Sequence, residues 1–345
     1  DRQQSAQAIA VGCAAFAGLG NIARADDFAA RLLAHPDFSE ADVFTALPTL
    51  EANRRDDLAV RLLAALADRQ LASAEALRRL GLLYERQGKL DEARTALEKS
   101  AAAARPRVTL LVDLARVARA QKDYQGALGY LAYARDLEPH DAELHYLFGL
   151  VCVDARLAAE AHLALGKAVA LAPQNATYNF SMGAVSAFRA DPSEAVPYFQ
   201  KYLQLKPDDV RGHLALGAVY LKAKDFVAAR RELSVAVRST AVATTAHFYL
   251  GSLARQAGQL DEAVRELKLA LAANPHYTDA LAELGQVHLQ RRDYKAAEEY
   301  LRRALALNAD HYAANFGLVT LYSRTNDVRR EKQVHRFDEL QKRRE

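Results

Sequence analysis

A repeat of 34 residues constrains this chain more than any other feature. Gly81, Gly149, Gly183, Gly217, Gly251 and Gly285 lie on one lattice of that spacing, with Ala115 in the remaining slot. Twelve residues beyond each slot stands alanine: Ala93, Ala127, Ala161, Ala195, Ala229, Ala263 and Ala297. Pro139, Pro173, Pro207 and Pro275 close most repeats. A chain of 345 residues is long for a single compact core, but an array escapes that limit because each repeat packs only on its neighbours. Within a repeat, two apolar stripes of helical period are split by a short polar loop carrying Asp or Gly. Glycine inside a helix costs about 1 kcal/mol relative to alanine, so its recurrence demands close approach of the paired helix. Ala93 and its equivalents are the expected opposing side chains.

These residues resemble the tetratricopeptide repeat, with Leu-Gly in the first helix, Ala in the second and Pro at the end. Asp-Glu-Ala-Arg (91–94), Asp-Tyr-Gln-Gly-Ala (123–127), Asp-Phe-Val-Ala-Ala (225–229) and Asp-Tyr-Lys-Ala-Ala (293–297) resemble its inter-helix signature. The early Trp of the family is replaced here by Leu, His or Asn. The resemblance implies an all-α fold, a right-handed superhelical α-solenoid of about eight to ten helix-turn-helix hairpins. Seven consecutive repeats are expected at 74–107, 108–141, 142–175, 176–209, 210–243, 244–277 and 278–311.

Residues 1–73 read as degenerate N-terminal hairpins, with a separate small helical domain as the alternative. Residues 312–345 read as a divergent repeat ending in a capping helix. Glu331 replaces the alanine there, and Val334, Phe337 and Leu340 form the apolar side against Arg329, Arg330, Lys332, Arg336, Lys342, Arg343 and Arg344. Ala6 to Leu19 is too short to span a membrane and is expected to be a buried helix. Gly12-Cys13-Ala14 faintly resembles a lipoprotein cleavage site, but only Arg2 precedes it as a cation. The first residue is Asp1 rather than Met, which reads as trimming by a cell or by a cloner; the compartment stays open.

Composition excludes several classes of function. The 46 basic and 43 acidic residues nearly cancel, to +3, so there is no footprint for nucleic acid. Cys13 and Cys152 lack metal or redox spacing and read as small buried hydrophobes. No phosphate loop, nucleophile elbow or zinc-protease motif is present. His145, His213 and His247 share one repeat position, but metal sites need three or four ligands in a tight shell. They read as packing residues, and neither a metal nor a cofactor is expected. Asp91, Glu92, Asp261 and Glu262 stand at second-helix starts, where they favour the helix dipole.

The resemblance implies that first helices line a concave groove in which partners bind. The first two repeats then offer Arg78, Arg79, Glu85, Arg86, Asp113, Arg116 and Arg119. The middle ones offer Tyr146, Leu147, Leu150 and Val153, then Phe180, Ala184 and Phe188, then Leu214 and Ala218. The last two give Phe248, Tyr249 and Arg255, then Asp279, Glu283 and Gln286. A carboxylate-clamping subtype needs a Lys and Asn set that is missing. A sugar-transferase subtype needs an asparagine ladder where Arg79, Asp113, Leu147, Ser181, Ala215, Tyr249 and Glu283 stand. The expectation is a non-catalytic scaffold holding a protein or peptide. Tyr146, Leu150, Phe180, Phe188, Leu214, Phe248 and Tyr249 would anchor it, with Arg116 and Arg119 favouring acidic flanks. Self-association through the same groove, or a place in a larger enzyme, secretion or assembly machine, are the alternatives.

Overall fold

The computed structural model describes residues 5–188 and 192–343; Asp1, Arg2 and Arg344 fall outside them. Among the described residues every regular element is helical, and the chain divides into two compact units, Asp1–Ala172 and Pro173–Glu345. The first holds α1 (Ala6–Gly18), α2 (Ile22–Ala34), α3 (Glu40–Ala52), α4 (Asp56–Asp68) and α5 (Ala74–Arg86). It continues with α6 (Leu90–Ala103), α7 (Val108–Ala120), α8 (Tyr124–Leu137), α9 (Ala142–Asp154) and α10 (Ala158–Leu171). The second holds α11 (Ala176–Ser186), a 3-10 turn (Pro192–Ala195), α12 (Val196–Leu205), α13 (Val210–Lys222) and α14 (Phe226–Ala236). It continues with α15 (Ala243–Gln256), α16 (Leu260–Ala273), α17 (Thr278–Gln290), α18 (Tyr294–Leu307), α19 (Tyr312–Thr325) and α20 (Arg330–Lys342). Within each unit, odd helices pair with the even helix that follows, and these hairpins stack on one another as an all-α solenoid.

Local chemistry explains the hairpins. Asp123, Asp225 and Asp293 each accept a hydrogen bond from a first-turn backbone N–H of the second helix, which satisfies a donor the helix cannot. The residue two before each of those starts has a positive φ: Lys122, Lys224 and Arg292, with Gly88 and Gly258 at the equivalent points of other hairpins. One left-handed residue reverses the chain in a short loop.

The glycine lattice marks a crossing of helices, but its partner differs from the expected alanine. A Cβ on Gly251 would stand 2.6 Å from Leu267 Cγ, and one on Gly217 would stand 2.7 Å from Leu233 Cγ. Ala263 and Ala93 approach the same spot through their backbone carbonyls. Alanine therefore lets the second helix come close, and the leucine one turn later fills the space glycine leaves.

α11 departs from the pattern. It ends at Ser186, whereas α5, α7, α9, α13, α15 and α17 all run two residues further in repeat register. A 3-10 turn then leads into α12, whose first turn contains Pro197. Proline is tolerated there because it lacks only an N–H that has no helical acceptor. Ala187 and Phe188 consequently lie beyond the helix end.

At the start of the chain, α1 buries Ile9, Ala10 and Cys13 while Leu19 lies exposed. At the other end, Phe337 and Leu340 of α20 are buried, with the Phe337 ring in tilted contact with Tyr312 and Phe316 of α19. The opposite face of α20 is charged. No helix among the described residues is long and apolar enough to cross a membrane.

Candidate protein-binding surfaces

In the unit 173–345, α11, α13 and α15 border an open groove of about 600 Å³. Phe180 and Phe188 come from α11 and the residues just after it, and Tyr249 comes from α15. Ala184, Ala215 and Ala218 line it with small side chains, Phe199 of α12 is a further lining residue, and Lys222 and Gln256 are the polar ones. Among the described residues no carboxylate belongs to this lining. Phe188 is 88% exposed. Phe180 is half-buried, its ring 5.5 Å from Phe199 and 4.9 Å from Tyr202, so it serves the core and the groove together. The Lys222 ammonium donates to the Ala187 carbonyl at 2.7 Å, which closes the shortened end of α11. Burial, followed by the charge of Asp279, raises the Tyr249 phenol above its ordinary range, keeping it neutral.

Of the expected anchors, Phe180, Phe188 and Tyr249 meet in this groove. Leu214 packs into the adjoining core cluster. Phe248 turns toward Tyr277, with ring centroids 5.1 Å apart, and is not among the groove-lining residues. Tyr146 and Leu150 belong to the other unit, half-buried on α9. Sequence reasoning passed over Phe199, although its signal was present. Phe199 holds the position that leucine takes in every other clear repeat, at Leu97, Leu131, Leu165, Leu233, Leu267 and Leu301.

The arginines anticipated as a basic shoulder, Arg78, Arg79, Arg86, Arg116 and Arg119, are engaged. Arg116 donates to Glu85 at 2.6 and 2.7 Å and to Asp113 at 3.0 Å. Arg78 holds the other oxygen of buried Asp113 at 2.7 Å. Arg119 pairs with Asp154. These contacts tie α5 to α7 and α7 to α9 within the face where a basic shoulder was anticipated.

The three histidines of the shared repeat position are engaged as well. His213 Nδ1 lies 2.8 Å from Glu232, and its Nε2 lies 3.0 Å from the Pro207 carbonyl. His247 Nδ1 lies 2.8 Å from Glu266. His145 bonds the Pro139 carbonyl at 3.0 Å. Each ties a first helix to its own hairpin or to the preceding loop. Among the described residues no three His, Cys, Asp or Glu side chains converge as a metal shell. Cys13 and Cys152 are free and buried, and burial pushes the Cys13 thiol up to about 11.

A search of curated proteins finds no match. Among solved structures, a tetratricopeptide repeat protein from Parabacteroides merdae aligns with a TM-score of 0.58 at 14% identity, covering 72% of this chain and 98% of that one. The type IV pilus biogenesis factor PilW aligns with a TM-score of 0.52 at 21% identity, covering 59% and 94%. PilF of Pseudomonas aeruginosa aligns with a TM-score of 0.50 at 20% identity, covering 60% and 94%. At these identities the likeness is one of fold. Tetratricopeptide repeat family models match residues 44–108, 112–176, 228–278, 248–312 and 282–328, and a second such model matches 189–244. The matched segments cover most of the chain and contain the glycine-leucine crossings and capped hairpins described above; the chain belongs to the tetratricopeptide repeat family.

Proposed function

We propose that this protein is a non-catalytic scaffold that holds an apolar segment of another protein in the groove formed by α11, α13 and α15. The observation that carries the reading is the lining itself: exposed Phe188, half-buried Phe180 and Tyr249, and a series of alanines. Small floor residues let a partner backbone approach, and aromatic walls give its side chains apolar surface. Apolar surface left open in this way is characteristic of interaction sites. Arg116 and Arg119 enter the proposal as stiffening contacts between first helices, since their guanidiniums already hold Glu85, Asp113 and Asp154. Tyr146 and Leu150, on α9 of the other unit, are left out of this groove.

The test is capture from native extract by the wild type and by Phe188→Glu and Ala218→Glu, after circular dichroism shows equal helicity. A fully buried aromatic contributes about 1.5–3 kcal/mol, so each variant should bind the captured protein about 10- to 100-fold more weakly. Unchanged capture by both variants would refute the groove as the working surface.

A further inference from the structure

A second surface lies in the unit 1–172 and differs in chemistry from the groove. A cavity of about 460 Å³ opens where α5 and α7 begin and α6 ends, lined by Ser73, Arg78, Arg105, Arg107 and Thr109 among others. Most of its charged and hydroxyl groups are already occupied. Glu75, its one carboxylate, accepts from Arg79 at 2.9 Å, Arg78 holds Asp113, and the Ser100 hydroxyl donates to the Ala74 carbonyl. Arg105 and Arg107 are exceptions. Both are exposed, and neither guanidinium makes an ion pair or hydrogen bond with any described residue.

The backbone holds these two side by side. Ala104 lies at φ −152°, ψ 163° and Arg107 at φ −90°, ψ 157°, so the segment enters and leaves in extended form. Pro106 fixes its own φ and keeps Arg105 out of the helical region. In an extended chain, residues two apart point to the same side, about 7 Å from one another. Both arginines line the one cavity accordingly. The side chain of Arg107 offers no acceptor to the first turn of α7, so that end adds to the positive field.

We infer that this cavity binds an acidic stretch of a partner polypeptide, whose alternate carboxylates pair with Arg105 and Arg107. An extended acidic segment presents carboxylates at the same spacing of about 7 Å. Two separate guanidinium–carboxylate pairs then form, each with the forked geometry that favours arginine over lysine. The site is independent of the apolar groove.

The probe is a fluorescein-labelled peptide alternating Glu and Ser, followed by anisotropy at about 50 mM salt, where exposed charges are weakly screened. Its Lys-Ser counterpart serves as the control peptide. The double variant Arg105→Glu, Arg107→Glu is compared with Lys206→Glu, Lys268→Glu, which changes net charge equally at two exposed lysines elsewhere. We expect the acidic peptide alone to bind the wild type, with about a tenfold loss in the arginine variant and less than about a twofold loss in the lysine variant. Equal loss in both variants would reduce the effect to overall charge and overturn the inference. So would absence of acidic-peptide binding, or displacement by inorganic phosphate as effective as by unlabelled peptide. Capture through Phe188 and Ala218 is unaffected by any of these outcomes, so the two readings fail separately.

Discussion

Gly251 shows how much a single residue specifies in this fold. Its missing Cβ is the space into which Leu267 Cγ projects, 2.6 Å from where that atom would sit. Gly251→Ala gains helix propensity of about 1 kcal/mol, but forces the buried leucine aside at a cost of about 1–3 kcal/mol. A lower urea midpoint with unchanged slope is the expected result. Arg292 illustrates the converse. It holds a left-handed conformation at φ 62° without the freedom of glycine, which Gly88 and Gly258 have at the same repeat position. Arg292→Gly should raise stability by up to about 1 kcal/mol, read from the same denaturation curves. The 34-residue lattice made the glycines legible in the sequence. Leu267 was not, because periodicity identifies which residue is small without identifying which one fills the gap.

Between elements, charge pairing joins one hairpin to the next. Arg230 of α14 donates to Glu262 of α16 at 2.6 Å, and that contact, opposed by partial burial, holds the Glu262 carboxyl below its ordinary value of 4.5. A depressed carboxylate stabilises the fold above its unfolded pKa, and the contribution is lost as pH falls through the lower folded value. Arg230→Ala should therefore cost about 0.5–1 kcal/mol at pH 7, since both partners are partly exposed. In chemical denaturation the difference from wild type should shrink below about pH 4. The arginines of the first unit were legible only in part. Arg78 and Arg119 each lie one repeat plus one residue before their partners, Asp113 and Asp154. Reading each repeat against the next would have revealed the pairs, whereas reading each repeat singly gave a basic shoulder. The shortened α11 was also hidden, although Pro192 and Pro197 are unusual for the start of a second helix here. That shortening leaves Phe188 outside the helix and exposed.

Across the whole molecule, repetition supplies the fold, and departures from it make the surfaces of the repeats differ. Every clear repeat has a buried alanine at one phase, from Ala93 to Ala297, so the cores are nearly interchangeable. The surfaces are distinct, apolar at α11, α13 and α15 and cationic at Arg105 and Arg107. The fold was legible because it is written seven times. The sequence offered only a list of first-helix positions; of these, Phe180, Phe188 and Tyr249 line the cavity between α11, α13 and α15, and Leu214 and Phe248 do not. The most direct test of the scaffold account is photo-crosslinking in native extract, with a benzophenone amino acid placed in turn at Ala218 and at Leu163. Leu163 is exposed on α10 and outside the groove. One discrete protein should be trapped from position 218 and not from position 163. Equal trapping at both positions, or none at 218, would contradict the scaffold account.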